Sequence, residues 1–256
     1  TVPSNYVVGA TGELQTASEI AFLNQKVEES KKKLEKLLNS ETDRSKNFPE
    51  SAGTWKTIQY NQDRVHDFAW FADKRFLVQK GEVVLPHSKE TVTTWAMFTP
   101  QNAKLWANAL EYLHDGTYYY SLWNGDYPYK HVTAIDGTIS AGGGMEYPMI
   151  TMDGGHYPSH QSLIAHEVGH NWFFGMIGSN ETYRAALDEG FTQFLTAWCM
   201  RKLTKENQPE LKRAFSGYME DAIDGTDESL ETHSNEFHSA TGHGGGYKHG
   251  YYKTAT

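Results

Sequence analysis

The sequence is short of several features that would sort a chain quickly. It has one cysteine, Cys199, so no internal disulfide can form. It has no apolar run of about 18 residues, which excludes a helical membrane span. It has no excess of basic charge: 23 Lys and Arg stand against 32 Asp and Glu, a formal charge of −9. That balance argues against a nucleic-acid backbone as partner. By long-range field it favours cationic ligands such as a free amine. No internal repeat is visible. Cys199 lies beside Trp198 in an apolar helical stretch and is expected to be a core thiol, not a nucleophile.

What remains is the composition of a globular protein, 38% apolar and 21% charged over 256 residues. That is enough for one large or two modest domains. The chain shows no signal peptide and begins with Thr1, which leads to the expectation of a leader already removed. Residues 18–39 have a helical apolar face of Ile20, Leu23, Val27, Leu34 and Leu37. From Thr54 to Thr99 the pattern is of short strands, with a hairpin expected to turn at Lys80-Gly81. A helix follows Pro100 and is expected to stop near Gly116, and "HVTAIDG" is a further strand. "MEYPMITM" is expected to be an edge strand because it contains Pro148. Helices are expected over 159–176 and 185–203 and from Pro209 onward, with another beginning in "GYYKTAT". Strands first and helices later is an α+β order. The division expected is a β-rich N-terminal remnant, 1–90, and a second domain, 91–256, cut short at its C-terminus.

The most informative stretch is "IAHEVGHNWFF", from Ile164 to Phe174. On a helix, residues i and i+4 share a face, so His166 and His170 can offer two imidazoles to one metal. Glu167 sits about 100° round the axis from His166, too far to ligate comfortably but able to reach a water on the metal. A zinc site of this kind needs a third protein ligand and one open position. "ALDEGFTQF" supplies Glu189, with eighteen residues between it and His170, room for a turn at Gly178 and a return helix. Asp188 and Gln193 are candidates to support the histidines from behind. The bland alternative is a pair of satisfied core histidines. The five-residue pattern arises by chance in roughly 4% of chains of this composition, which favours the metal.

These residues resemble a known family. "HEVGH" with Glu189 is similar to the gluzincin metallopeptidases. "GGMEYP", Gly143 to Pro148, resembles the Gly-x-Met-Glu-Asn exopeptidase motif of their aminopeptidase N-like branch, which also includes leukotriene epoxide hydrolase. "NWFFG", "YYKTA" (Tyr251 to Ala255) and "VHDFAWFAD" (Val65 to Asp73) resemble further segments of that branch, and the matches cover roughly residues 54–256.

The resemblance implies a thermolysin-like zinc metallopeptidase fold with one zinc per chain, held by His166, His170 and Glu189. It implies that Glu167 is the general base for a zinc-activated water and that Tyr251 donates to the oxyanion. It implies that Glu146 binds the free α-amine of a peptide, with Gly143, Gly144 and Met145 along the substrate. A carboxylate that anchors the N-terminus one residue from the metal would restrict hydrolysis to the first peptide bond. The glycines would let the substrate backbone approach, and an edge strand there could pair with it. The partners implied are peptides with a free N-terminus and the missing N- and C-terminal domains of a longer chain.

The sequence also departs from the family. Tyr147 stands for the usual asparagine, Thr254 for a glycine, and "NWFFG" has one residue more than the common form. Two other readings stay open: a zinc endopeptidase or epoxide hydrolase using the same site, and a non-catalytic scaffold. A second metal site at His233, His238, His243 and His249 lacks any carboxylate or cysteine spacing to fix it. His156 and His160 are expected to cap the catalytic helix or line its cleft. The compartment is not legible; the resemblance and the missing initiator Met favour an extracytoplasmic one.

Overall fold

In the first unit of the chain, Thr1–Ile164, short strands precede a central sheet. The elements are β1 (Val2–Pro3), β2 (Val7–Ala10), β3 (Glu13–Leu14), α1 (Ala17–Asn39), β4 (Trp55–Lys56), β5 (Tyr60–Asn61), β6 (Trp70–Asp73), β7 (Leu77–Val84) and β8 (Thr91–Phe98). They continue with α2 (Ala103–Trp106), α3 (Ala109–Asn124), β9 (His131–Asp136), β10 (Gly144–Met145), β11 (Ile150–Asp153) and α4 (His160–Gly169), which runs on into the second unit. The second unit, Ala165–Thr256, adds α5 (Phe191–Thr204), α6 (Pro209–Asp224) and α7 (Lys248–Ala255). The computed structural model describes residues 1–39, 48–137, 143–154, 159–204, 209–233 and 248–255. The architecture is mixed helix and sheet. Among the described residues no helix is long and apolar enough to cross a membrane.

Five strands form one sheet in the order β10-β11-β9-β8-β7. β9 is parallel to β8 and to β11, while β7 and β10 close the two ends antiparallel. β9 and β11 are buried on both faces, and Thr133, Thr151 and Asp153 are buried along with their apolar residues. α1 packs on the end strand β7, where Ser30 Oγ accepts the Val78 N–H at 2.8 Å. That contact occupies a donor on a strand edge. Leu23, Val78, Met97, Ile135, Ile150 and Met152 form the core below it.

Three local expectations are corrected. Lys80-Gly81 is not a turn: β7 runs straight through it and pairs with β8 over eight residues. A Cβ on Gly81 would meet Thr94 Oγ1 at 2.8 Å and Leu110 of α3 at 3.5 Å, so this glycine serves a close approach. Gly116 does not end α3, which continues to Asn124 and stops at Gly125 (φ 95°). The buried stripe Leu113, Gly116, Thr117, Tyr120 and Ser121 carries the helix through. Pro148 does not make "MEYPMITM" one edge strand. It sits in a turn between β10, which is the edge, and β11, which is inside the sheet. The division expected between residues 90 and 91 falls in the connection from β7 to β8.

Asp153, at the end of β11, is buried, and its Oδ1 has no hydrogen-bond partner among the described residues. Burial raises its pKa to about 7, with Asp136 on the neighbouring strand adding to the shift and the Thr151 hydroxyl opposing it. Between about pH 4 and 7 the folded chain therefore holds a proton that the unfolded chain has lost. Stability from this group falls as pH rises through that window, by at most about 1.4 kcal/mol per pH unit, and is flat above it. Asp153→Asn is expected to remove that slope and raise the melting temperature at pH 8, measured by thermal denaturation across pH.

Candidate active site

The second unit is helical, and irregular turns punctuate its helices. α4 ends at Gly169, and residues Asn171–Met176 continue as a π-type turn in which Gly175 N donates to His170 O at 2.8 Å. Phe174 takes a positive φ of 105° there. Phe173 (φ −94°, ψ 102°) and Phe174 are both non-helical, so the chain kinks inside "NWFFG". Gly178, at φ 70°, then terminates the segment. A second π-type turn, Ala186–Gly190, carries Asp188 and Glu189 into the start of α5. α7 packs against that turn, α5 and α6. It is tied to the 225–233 loop by Lys253, whose Nζ donates to Asp227 Oδ1 at 2.7 Å and Glu228 O at 2.9 Å.

These elements bring three ligand atoms together. His166 Nε2 lies 3.1 Å from Glu189 Oε2 and 3.2 Å from His170 Nε2, and His170 Nε2 lies 3.3 Å from the same Glu189 oxygen. Ligands at zinc distances on a tetrahedron are roughly 3.3–3.5 Å apart, so the triangle matches one face within a few tenths of an ångström. His170 Nδ1 is 2.5 Å from Asp188 Oδ1, which leaves its Nε2 lone pair facing the other two atoms. Burial alone raises the pKa of Glu189, but His170 and His166 reverse this and hold it well below the usual carboxylate range. Two imidazoles and an ionised carboxylate converging this closely are a donor set that fits zinc.

Around the triangle, Glu167 is buried, 4% exposed, one helical step from His166. The Tyr251 hydroxyl donates to Glu189 Oε1, and its ring stacks on His166 with centroids 5.9 Å apart and planes at 18°. Asp188 takes the supporting position expected of it, on His170. In the place expected of Gln193, Thr192 and Thr196 face the histidines, with Oγ1 atoms 3.2 Å from His170 Nδ1 and 3.5 Å from His166 Nδ1. Gln193 is a single residue step from Thr192, about 100° round the helix, whereas Thr192 and Thr196 share one face. Their signal in the sequence was an i,i+4 threonine pair on the helix after Glu189. Asp188→Asn is expected to weaken zinc binding about 10- to 100-fold, measured by competition with a chromophoric chelator.

The expected amine-binding segment belongs to the first unit. Gly143 has φ 82°, a conformation that suits glycine. Gly144 and Met145 form the edge strand β10, paired with Asp153 and Met152. Glu146 comes next and is 8% exposed. Met145 and Tyr147 pack against the core, and the Tyr147 ring lies 6.0 Å from Phe71. His160 opens α4 edge-on to Trp106, with ring centroids 4.6 Å apart. His233 lies against Tyr183, at 4.4 Å between rings. His156, His238 and His243 lie outside the described residues. Cys199 is fully buried.

Solved structures with the same mixed helix-and-sheet fold are M1 zinc metallopeptidases. The chain is similar to the M1 zinc metallopeptidase from Deinococcus radiodurans, with TM-score 0.58 at 16% identity, covering 99% of this chain and 48% of that one. A glutamate-to-alanine mutant of that protein, bound to a Tyr-Ser-Ala substrate, gives TM-score 0.60 at 15% identity, covering 99% and 48%. A two-domain M1 zinc metallopeptidase with a glutamate-to-alanine substitution, bound to L-tryptophan, gives 0.59 at 15%, with the same coverage. The chain thus spans about half the length of the structures it matches. No family model matches the sequence, and no curated protein sequence does.

Proposed function

We propose that the chain is the catalytic part of a zinc aminopeptidase, hydrolysing the N-terminal bond of peptides within a thermolysin-like core. The observation that carries this is the triangle of His166 Nε2, His170 Nε2 and Glu189 Oε2 with the Tyr251 hydroxyl beside it. A zinc ion held by these three residues would supply Lewis acidity, lowering the pKa of water and polarising a carbonyl. Glu167 takes a proton from the attacking water and returns it to the leaving amine. The Tyr251 hydroxyl donates to the oxygen that becomes negative. Glu146 pairs with the substrate's α-ammonium, and the edge strand β10 offers main-chain groups to the peptide. In this reading every site residue falls in 91–256. Residues 1–90 are the remnant of an N-terminal β-rich part whose last strand, β7, joins the five-stranded sheet.

The Tyr-Ser-Ala substrate bound by the Deinococcus radiodurans mutant and the L-tryptophan bound by an M1 zinc metallopeptidase mutant support a peptide substrate. The net charge of −9 favours a free amine on it. The test is removal and return of metal. Hydrolysis of an aminoacyl fluorogenic amide is expected to vanish with a chelator and to return at one zinc per chain; activity that survives complete zinc removal would contradict the reading. Glu146→Ala is expected to lower kcat/KM for free-amine substrates roughly 10- to 100-fold, mainly through KM, because a charge-assisted bond is lost.

A further inference from the structure

In the first unit, α1 and the turn from β6 to β7 border a cavity of about 590 Å³. Lys26, Glu29 and Lys33 line it from one face of α1, at i, i+3 and i+7. Lys74 and Arg75 line it from the turn. Four of its described lining residues are cations, and one, Glu29, is an acid. The chain as a whole carries a charge of −9, so the cavity has the opposite sign from the molecule. Lys26, Lys74 and Arg75 are half-buried, and only Lys33 stands fully exposed.

The four cations are not equally committed. Arg75 is held by Asp73, with Nε 2.9 Å from Oδ1 and Nη2 2.5 Å from Oδ2, and its guanidinium lies 3.8 Å from the centre of the Phe48 ring. Lys26 donates to Glu29 at 2.8 Å, and Gln25 donates to the other oxygen of that carboxylate. Glu29 therefore turns away from Lys33, its i+4 neighbour, which has no carboxylate partner among the described residues. Lys74 Nζ donates to the Ser51 hydroxyl at 3.2 Å and has no carboxylate partner among them either. Two ammonium groups thus line one cavity without a counter-charge. Like charges at a shared concave wall repel, and an anion carrying two charges relieves both. The planar guanidinium fork that best matches a carboxylate is already taken by Asp73. Lysine meets phosphate as a point charge, with no fork required. The volume falls within the roughly 300–1,000 Å³ usual for small-molecule sites.

We propose that this cavity binds a phosphate-bearing small molecule, with Lys33 and Lys74 as its principal contacts. Lys26 joins them from its ion pair, since a partly exposed pair of this kind holds by only about 1 kcal/mol or less. Arg75 stays with Asp73 and fixes the wall. The site is independent of the candidate metal centre and of the peptidase reading.

The experiment is calorimetric titration of the chain with pyrophosphate, AMP and adenosine at constant ionic strength, with thermal melting of each variant to report folding. The wild type is expected to bind pyrophosphate or AMP and to ignore adenosine. Lys33→Gln with Lys74→Gln is expected to raise the dissociation constant about 10-fold or more, because two charge-assisted contacts are lost. Lys33→Gln alone, a change at an exposed position, is expected to raise it about threefold. Lys31→Gln with Lys130→Gln removes the same charge from residues outside the cavity and is expected to change it by less than about twofold. Tighter binding of AMP would assign the site to a phosphate on an organic body, and tighter binding of pyrophosphate to the free inorganic anion; either order supports the proposal. A wild type that binds neither anion would overturn it. So would equal losses in the two double variants, which would mean a diffuse field, or adenosine binding as well as AMP, which would leave the phosphate no part.

Discussion

Glu167→Gln is expected to keep one zinc per chain and lose turnover, with kcat falling about 10²- to 10⁴-fold, the usual contribution of a positioned general base. The substitution keeps the shape of the side chain and removes its basicity. Glu167 is not one of the three converging ligand atoms, so the metal should stay bound. It is buried, one helical step from His166. KM should change little, because the proton moves only in the chemical step. Zinc content and steady-state kinetics on the same preparation check this. Normal kcat with zinc bound would remove Glu167 from the mechanism.

Tyr251→Phe is expected to lower kcat about 10²- to 10³-fold, in the range found when an oxyanion donor is deleted. The Tyr251 hydroxyl already donates to a ligand carboxylate oxygen, Glu189 Oε1, and its ring is stacked on His166. The hydroxyl is therefore held beside the ligand triangle, and phenylalanine keeps the stacking while removing the donor. Lys253, two residues on, fastens α7 to Asp227 and Glu228, so the ring position does not depend on the hydroxyl alone. Kinetics with a zinc assay separates the two effects. A fall in kcat at unchanged zinc content supports an oxyanion role; a parallel loss of zinc would mean that the hydroxyl serves Glu189.

The candidate ligands were legible because helical periodicity is strict. Two histidines four apart need only a helix to share a face, and Glu189 needed only room for one turn, which Gly178 ends at φ 70°. Glycine was less legible because one residue serves different ends. Gly143 and Gly125 take positive φ, while Gly81 sits in a straight strand under Leu110 and Gly116 lies in a buried helical face. Sequence alone does not separate a turn from a close approach. The kink at Phe173 and Phe174 inside "NWFFG" depends on backbone geometry that the residue types do not spell out. Thr192 and Thr196 escaped notice because threonine is chemically plain; their part emerges only when α5 lies alongside the histidines. Fold similarity at 15–16% identity to structures about twice as long extends to the chain path. The chemistry rests on the residues themselves.

The most direct test of the central claim is a panel of aminoacyl fluorogenic amides, each with a free and an acetylated amine, offered to the zinc-loaded chain. The account predicts cleavage of the free-amine set alone, abolished by Glu167→Gln and weakened by Glu146→Ala. Equal cleavage of the acetylated set, or none of either set with zinc bound, would contradict it.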